Sequence, residues 1–282
     1  MAETTSNDLY VPEVWADLAQ AEFAGRTILA TAASEDNTLV GVPGDVVKFP
    51  KWNALGEMED LTELVPIPTE KMTQTATEAR IKEAGKAVEI SDTAALVGLG
   101  NAQDEAIRQF GILAARKLDA DLYAAAIRTD VGNRTFSDGT PAIDSAPLTF
   151  RAGGAISWNR LVDATAEYED DFEPGDFAGL YINSAERAAI FKDPQFIQSQ
   201  PDLMTRGLIG NVGGLAVRVT NRIPAGRSLL LKNGALSIKY KRRPIVEQDR
   251  DILKRANVVT TNVHYGTHRV NDSGVLVIDW AA

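Results

Sequence analysis

Apolar residues recur at three- and four-residue steps along NAQDEAIRQFGILAARKLDADLYAAAI, residues 101–127, the strongest pattern in the chain. Ile107, Phe110, Gly111, Ala114, Leu118, Leu122 and Ala125 fall on one face of the helix this spacing predicts. Asn101 can cap its start, and Asp104 and Glu105 suit the positive end of its dipole. At ~1.5 Å per residue, roughly 25 residues make a rod about 37 Å long.

Other segments are patterned more weakly. VPEVWADLAQAEFAGRTIL, residues 11–29, predicts a short helix with Val14, Leu18 and Ala21 on one face and too little apolar surface to fold alone. A strand over Asp45 to Trp52, interrupted by Pro50, precedes an acidic, proline-punctuated stretch. The run KMTQTATEARIKEAGKAVEIS then alternates polar with small or β-branched residues, a strand almost without an apolar face. Two such strands around an acidic tip describe a ribbon whose stability must come from neighbours. SWNRLVDATAEYEDDF predicts a helix capped by Ser157, FAGLYIN a buried strand, and SAERAAIFKD a helix from Ser184. The glycine-rich QFIQSQPDLMTRGLIGNVGG reads as loop. From LAVRVTN to the C-terminus short strands dominate. Helices before strands point to an α+β fold.

Charge changes this picture. The formal net charge is −10, yet residues 1–66 hold twelve acids and three bases, while residues 222–255 hold ten bases and three acids. Opposed blocks of −9 and +7 suit subunits that dock by complementary patches. The 282 residues contain no cysteine, which excludes disulfides, thiolate metal sites and thiol nucleophiles. No long apolar run is present, so a soluble protein of a reducing compartment is expected.

Candidate chemistry is sparse. His264 and His268 lie in a β-branched run, where four residues separate them by ~13 Å, too far for one ion. Gly98-Leu99-Gly100-Asn101-Ala102-Gln103 begins like a dinucleotide loop but lacks the third glycine, and reads as a helix-entry turn. Glu167 to Asp171 is acidic but lacks the ligand spacing of a calcium loop. The patch Lys239-Tyr240-Lys241-Arg242-Arg243 could meet phosphate, but a pI near 4.8 favours a subunit-docking strand. No catalytic, cofactor or metal site is nominated, and a carboxylate-dependent soluble enzyme remains an alternative.

The order of these parts resembles the tailed-bacteriophage major capsid proteins of the Hong Kong 97-like fold, over nearly the whole chain. The resemblance assigns residues 1–35 to an N-terminal arm, 36–90 to an extended loop, and 91–150 to a peripheral domain with its long spine helix. It assigns 151–244 to an axial domain and 245–282 to the return into the peripheral domain. EQDRDILKRANVVTTNVHYGTHRVNDSGVLVI is the most family-like stretch.

It implies a coat protein, not an enzyme, that self-assembles into hexamers and pentamers of an icosahedral head around double-stranded DNA. The tip of the extended loop (Glu57, Glu59, Asp60, Glu63) would lie on the basic strand (Lys239, Lys241, Arg242, Arg243) of an adjacent subunit. Expected partners are further copies, a separate scaffolding protein if Met1 is the mature start, a portal and DNA held weakly, with a decoration protein as a further candidate. The location would be the virion, after assembly in the host cytoplasm. No autocatalytic Lys–Asn cross-linking is expected, because residues 256–270 contain no glutamate to act as base. An encapsulin-like nanocompartment shell is the alternative with the same fold.

Overall fold

The computed structural model describes residues 27–40, 44, 46–52, 58, 60, 66–67, 69–72, 74–97, 101–129, 146–199 and 210–281. Its strands are β1 (Ala33–Asp36), β2 (Val46–Trp52), β3 (Gln74–Arg80), β4 (Lys82–Ser91), β5 (Leu148–Arg151) and β6 (Phe177–Ile182). They continue with β7 (Asn211–Val212), β8 (Leu215–Val219), β9 (Arg227–Lys232), β10 (Leu236–Asp251), β11 (Ala256–Arg269) and β12 (Val275–Asp279). The helices are α1 (Asp92–Val97), α2 (Ala102–Ile127), α3 (Trp158–Thr165), α4 (Ser184–Ile190) and α5 (Pro194–Ser199).

The strands form a four-stranded sheet ordered β1-β10-β11-β4, a six-stranded sheet ordered β5-β12-β9-β6-β8-β7, and the ribbon β2-β3. Helix α2 serves both larger sheets. Near its start, Ala106, Ile107 and Phe110 pack on Val246 and Val259. Further along, Leu118 and Leu122 meet Tyr240 and Tyr265 of one sheet and Leu229 and Leu231 of the other.

The six-stranded sheet is apolar on both faces because its strands alternate between two cores. Tyr181, Leu229, Leu231, Val275 and Val277 face the core containing α2. Leu180, Ile182, Leu230, Leu276 and Ile278 face a second core with Leu161, Ile190 and Phe196.

Polar anchors hold α2 in place. The Asn101 side chain accepts the N–H groups of Gln103 (3.2 Å) and Asp104 (3.4 Å), so the helix-entry turn is capped as expected. At the other end the buried Arg269 guanidinium donates to the carbonyls of Ala126 and Arg128, both at 2.7 Å, placing a cation at the negative end of the dipole. Midway, the buried Asp119 carboxylate accepts the N–H groups of Ile28 (3.0 Å) and Leu29 (3.1 Å). Burial pushes the Asp119 carboxyl up despite these backbone donors. The anchored turn, Leu29–Ala32, leads directly into β1, which runs parallel to β10.

Several elements differ from the sequence reading. The helix read over residues 11–29 lies outside the described residues as far as residue 26, and a 3-10 turn begins at Leu29. The strand at 45–52 runs through Pro50, which sits opposite Ala76 in a two-stranded ribbon where a missing donor is tolerated. On α2, Ala114 and Ala125 are only half-buried, and Ala115 and Ala126 fill the core instead. Ser157 occupies the cap position of α3, but the Trp158 N–H is satisfied by Asp193 at 3.2 Å. That helix becomes a 3-10 turn at Ala166, with Glu169 at a left-handed φ of 48°. The stretch read as loop carries α5, and residues 200–209 lie outside the described set.

The boundary drawn at residue 244 falls inside the continuous strand β10. There, register shifts between Tyr240 and Ile245 accommodate Pro244. The last strand, β12, lies between β5 and β9 in the six-stranded sheet. Leu118 is 1% exposed at the junction of the sheets. Leu118→Asp is therefore expected to cost several kcal/mol, enough to unfold the subunit. Circular dichroism melting checks this; a soluble Leu118→Asp protein with unchanged melting would refute the assigned core face.

Candidate subunit-docking surfaces

β10 places alternate side chains on opposite faces. Ile238 and Tyr240 are buried beneath α2, and Lys239 and Lys241 point the other way. The residues facing them come from the acidic front of the same chain. Because Asp36 of β1 pairs in register with Lys239, their side chains form an ion pair. Lys241 donates to the Gly44 carbonyl. Arg243 reaches Glu35 at 3.2 Å and Asn37 at 3.4 Å while lying over the Tyr240 ring. Arg242 pairs with Glu247 at 3.2 Å.

The four basic residues therefore each meet an oxygen of their own chain. Arg242 and Arg243 nevertheless keep 40% and 47% of their side chains exposed, so their forks remain accessible to a second partner. Such exposed pairs contribute about 0–1 kcal/mol each. Of the acidic tip, Asp60 is exposed, and Glu57, Glu59 and Glu63 lie outside the described residues.

The base of the ribbon is fixed by a group that sequence reasoning missed. Asp121 of α2, largely buried, receives Lys82 at 2.7 Å, Lys117 at 3.2 Å and the Tyr265 hydroxyl. Burial by itself would raise its pKa, but Lys82, Tyr265 and Lys117 together hold the carboxyl below its ordinary range. Lys82 opens β4 two residues after the ribbon ends, so this cluster ties the ribbon's root to α2. Nothing in the local sequence marks Asp121, because its partners lie far away in sequence. The only hint is a charge beside Leu122 on an apolar face.

The remaining candidates resolve into structure. His264 lies 3.6 Å from Glu83 on the paired strand β4, and His268 is buried on β11 opposite Ser237. Residues 167–171 form the 3-10 turn after α3. Among the described residues no group of His, Asp or Glu is placed to hold a metal ion. Gly98 to Gly100 lie outside the described residues. No helix among them is long and apolar enough to cross a membrane.

A long helix packed against two sheets with a ribbon rooted beside it fits the Hong Kong 97-like fold of capsid subunits. Comparison with known proteins gives the same class. A family model described as phage capsid protein matches residues 74–278, and the chain belongs to that family. The major capsid protein of Staphylococcus phage phiMR11 is 29% identical over 280 residues, covering 97% of this chain and 94% of that protein.

Among solved structures, the capsid of cyanophage P-SCSP1u superposes with a TM-score of 0.67 at 14% identity, covering 90% of this chain and 88% of that one. A virus-like particle from Pyrococcus furiosus gives 0.60 at 12% identity, covering 95% and 98%. The chain is thus a capsid protein of a structural family, and its place is the virion.

The Asp121 cluster makes a pH-dependent contribution whose sign is fixed. Its folded pKa lies below the unfolded value near ~3.9, so its stabilisation is complete above that value and is lost as pH falls through the folded one. Asp119, shifted upward by burial, contributes with the opposite sign: ionising it costs more in the folded chain than in the unfolded one, so this contribution falls as pH rises from the unfolded value through the folded one. Asp121→Asn is expected to lower stability at neutral pH by about 2 kcal/mol and to make the acid limb below about pH 4 shallower. Urea unfolding across pH measures both effects; an unchanged acid limb would contradict the assignment.

Proposed function

We propose that this chain is the major subunit of a tailed-phage head, forming hexamers and pentamers that close an icosahedral shell around double-stranded DNA. The observation that carries this reading is the ribbon β2-β3 with its continuation β4. No residue of β4 is buried, and among the described residues β4 is an edge strand of its sheet. A two-stranded ribbon and an open edge are poor investments for a monomer and natural contact elements for an assembly.

In this reading residues 1–35 act as an arm, 36–90 as an extended loop, and α2 as the spine of a peripheral domain spanning 91–150. The region 151–244 faces the capsomer axis, and 245–282 returns to the periphery. The loop tip, Glu57, Glu59, Asp60 and Glu63, lies on Lys239, Lys241, Arg242 and Arg243 of the next subunit. There Arg242 and Arg243 offer the exposed forks. Assembly takes place in the host cytoplasm with a scaffolding protein and a portal, and a decoration protein is a further candidate partner. An acidic protein holds the genome weakly and without sequence preference.

The second reading, a nanocompartment shell, has one specific observation in its favour: the archaeal virus-like particle shares the fold. Purified particles distinguish the two, since the phage reading expects nuclease-protected genomic DNA inside and the nanocompartment reading a protein cargo. For the docking surfaces, Glu57, Glu59 and Asp60 replaced together by Lys should reduce particle yield about tenfold or more, with an unchanged circular dichroism melt of the subunit. Wild-type particle yield from the triple variant, read by sucrose-gradient sedimentation, would remove the loop tip from the interface.

A further inference from the structure

A cavity of about 240 Å³ opens between α4 and the end of the chain, with Gly154, Ile156, Glu186, Ala189, Gly226 and Trp280 in its wall. It is smaller than the ~300–1,000 Å³ typical of ligand pockets and matches a single side chain. Its wall is apolar apart from one carboxylate. Glu186 is only 6% exposed. Its Oε1 accepts the Gly226 N–H at 2.5 Å, while the buried Oε2 has no hydrogen-bond partner among the described residues.

A buried carboxylate oxygen without a donor is costly, and a cation is the partner that compensates it best. Arg160 does not serve, because its guanidinium donates to the carbonyls of Ala155 at 2.7 Å and Gly153 at 3.4 Å. Trp280 adds an aromatic wall, held by its Nε1–H donating to the Ser228 hydroxyl at 2.8 Å. An indole beside a carboxylate is a favourable setting for guanidinium or ammonium. The small residues Gly154, Ala185 and Ala189 add little side-chain bulk to the wall, with the Arg160 guanidinium packed against Gly154.

We propose that this cavity is a socket for a cationic side chain, arginine or lysine, delivered by a second copy of the chain. The proposal rests on the shell reading, in which another copy is the neighbour always present. That copy carries ten bases against three acids over residues 222–255, so cations to fill the socket are plentiful.

Agmatine, an alkylguanidinium, titrated into unassembled subunits by calorimetry tests the socket independently of assembly. Saturable binding is expected. Glu186→Gln keeps an acceptor for the Gly226 N–H but removes the charge, and should weaken agmatine about tenfold or more. Ala189→Leu fills the cavity while leaving the carboxylate, and should abolish binding; thermal melts of both variants monitor the fold. In images of wild-type particles, an arginine or lysine of a neighbouring copy should contact Glu186, and both variants should assemble less. Absence of saturable binding, equal binding by Glu186→Gln, or particles whose socket holds only water or another protein's side chain would overturn the proposal. A wild-type chain that binds agmatine yet never forms particles would instead overturn the shell reading.

Discussion

Helix α2 has to satisfy two sheets at once, and the rest of the subunit is arranged around that demand. Its apolar stripe is shared between the four-stranded and six-stranded sheets, so neither sheet is complete without it. Apolar packing alone would leave the helix free to slide or rotate, because burial is non-directional. The buried charges remove that freedom. Arg269 fixes the C-terminal end, Asp119 the segment leading into β1, and Asp121 the root of the ribbon. A buried charge tolerates few geometries, so these contacts specify position even where their net stabilisation is small.

The same arrangement fixes the roots of the two segments that lead away from the helix. The segment before β1 is stapled to α2 through Asp119, and the ribbon is rooted through Lys82 on Asp121. Fixed roots of this kind suit the proposed shell subunit, whose arm and ribbon would find their partners in the assembly.

The fold was legible in the sequence wherever burial follows a regular period. Ile107, Phe110, Leu118 and Leu122 announced the helix, and short apolar or β-branched runs announced β6, β8, β9, β10, β11 and β12. The four-residue β5 escaped because LTFR is too short to show a period. The anchors escaped for another reason. Asp119 and Asp121 interrupt an apolar face and so read as surface, while their partners Ile28 and Tyr265 lie about ninety and more than a hundred residues away. Glu186 was equally silent, a charge in a short helix whose burial is set by Gly226 and Trp280. Opposed charge blocks showed that front and basic segment attract. They did not show that Glu35 and Asp36 would meet Lys239 and Arg243 within one subunit.

That internal pairing bears on how subunits recognise one another. An exposed pair such as Arg243 with Glu35 contributes about as much as any exposed pair that could replace it. Exchanging one acidic partner for another across an interface therefore costs little, provided the backbone need not move. β10 meets this condition, because Ile238, Tyr240 and Val246 hold it from the opposite face regardless of what its basic residues contact. A strand fixed by its apolar side, with arginines on the other, can exchange one acidic partner for another without repacking, as the proposed docking of a neighbour's loop would require. In that proposal a packed face fixes geometry and a charged face selects partners, so that one strand would serve both fold and assembly.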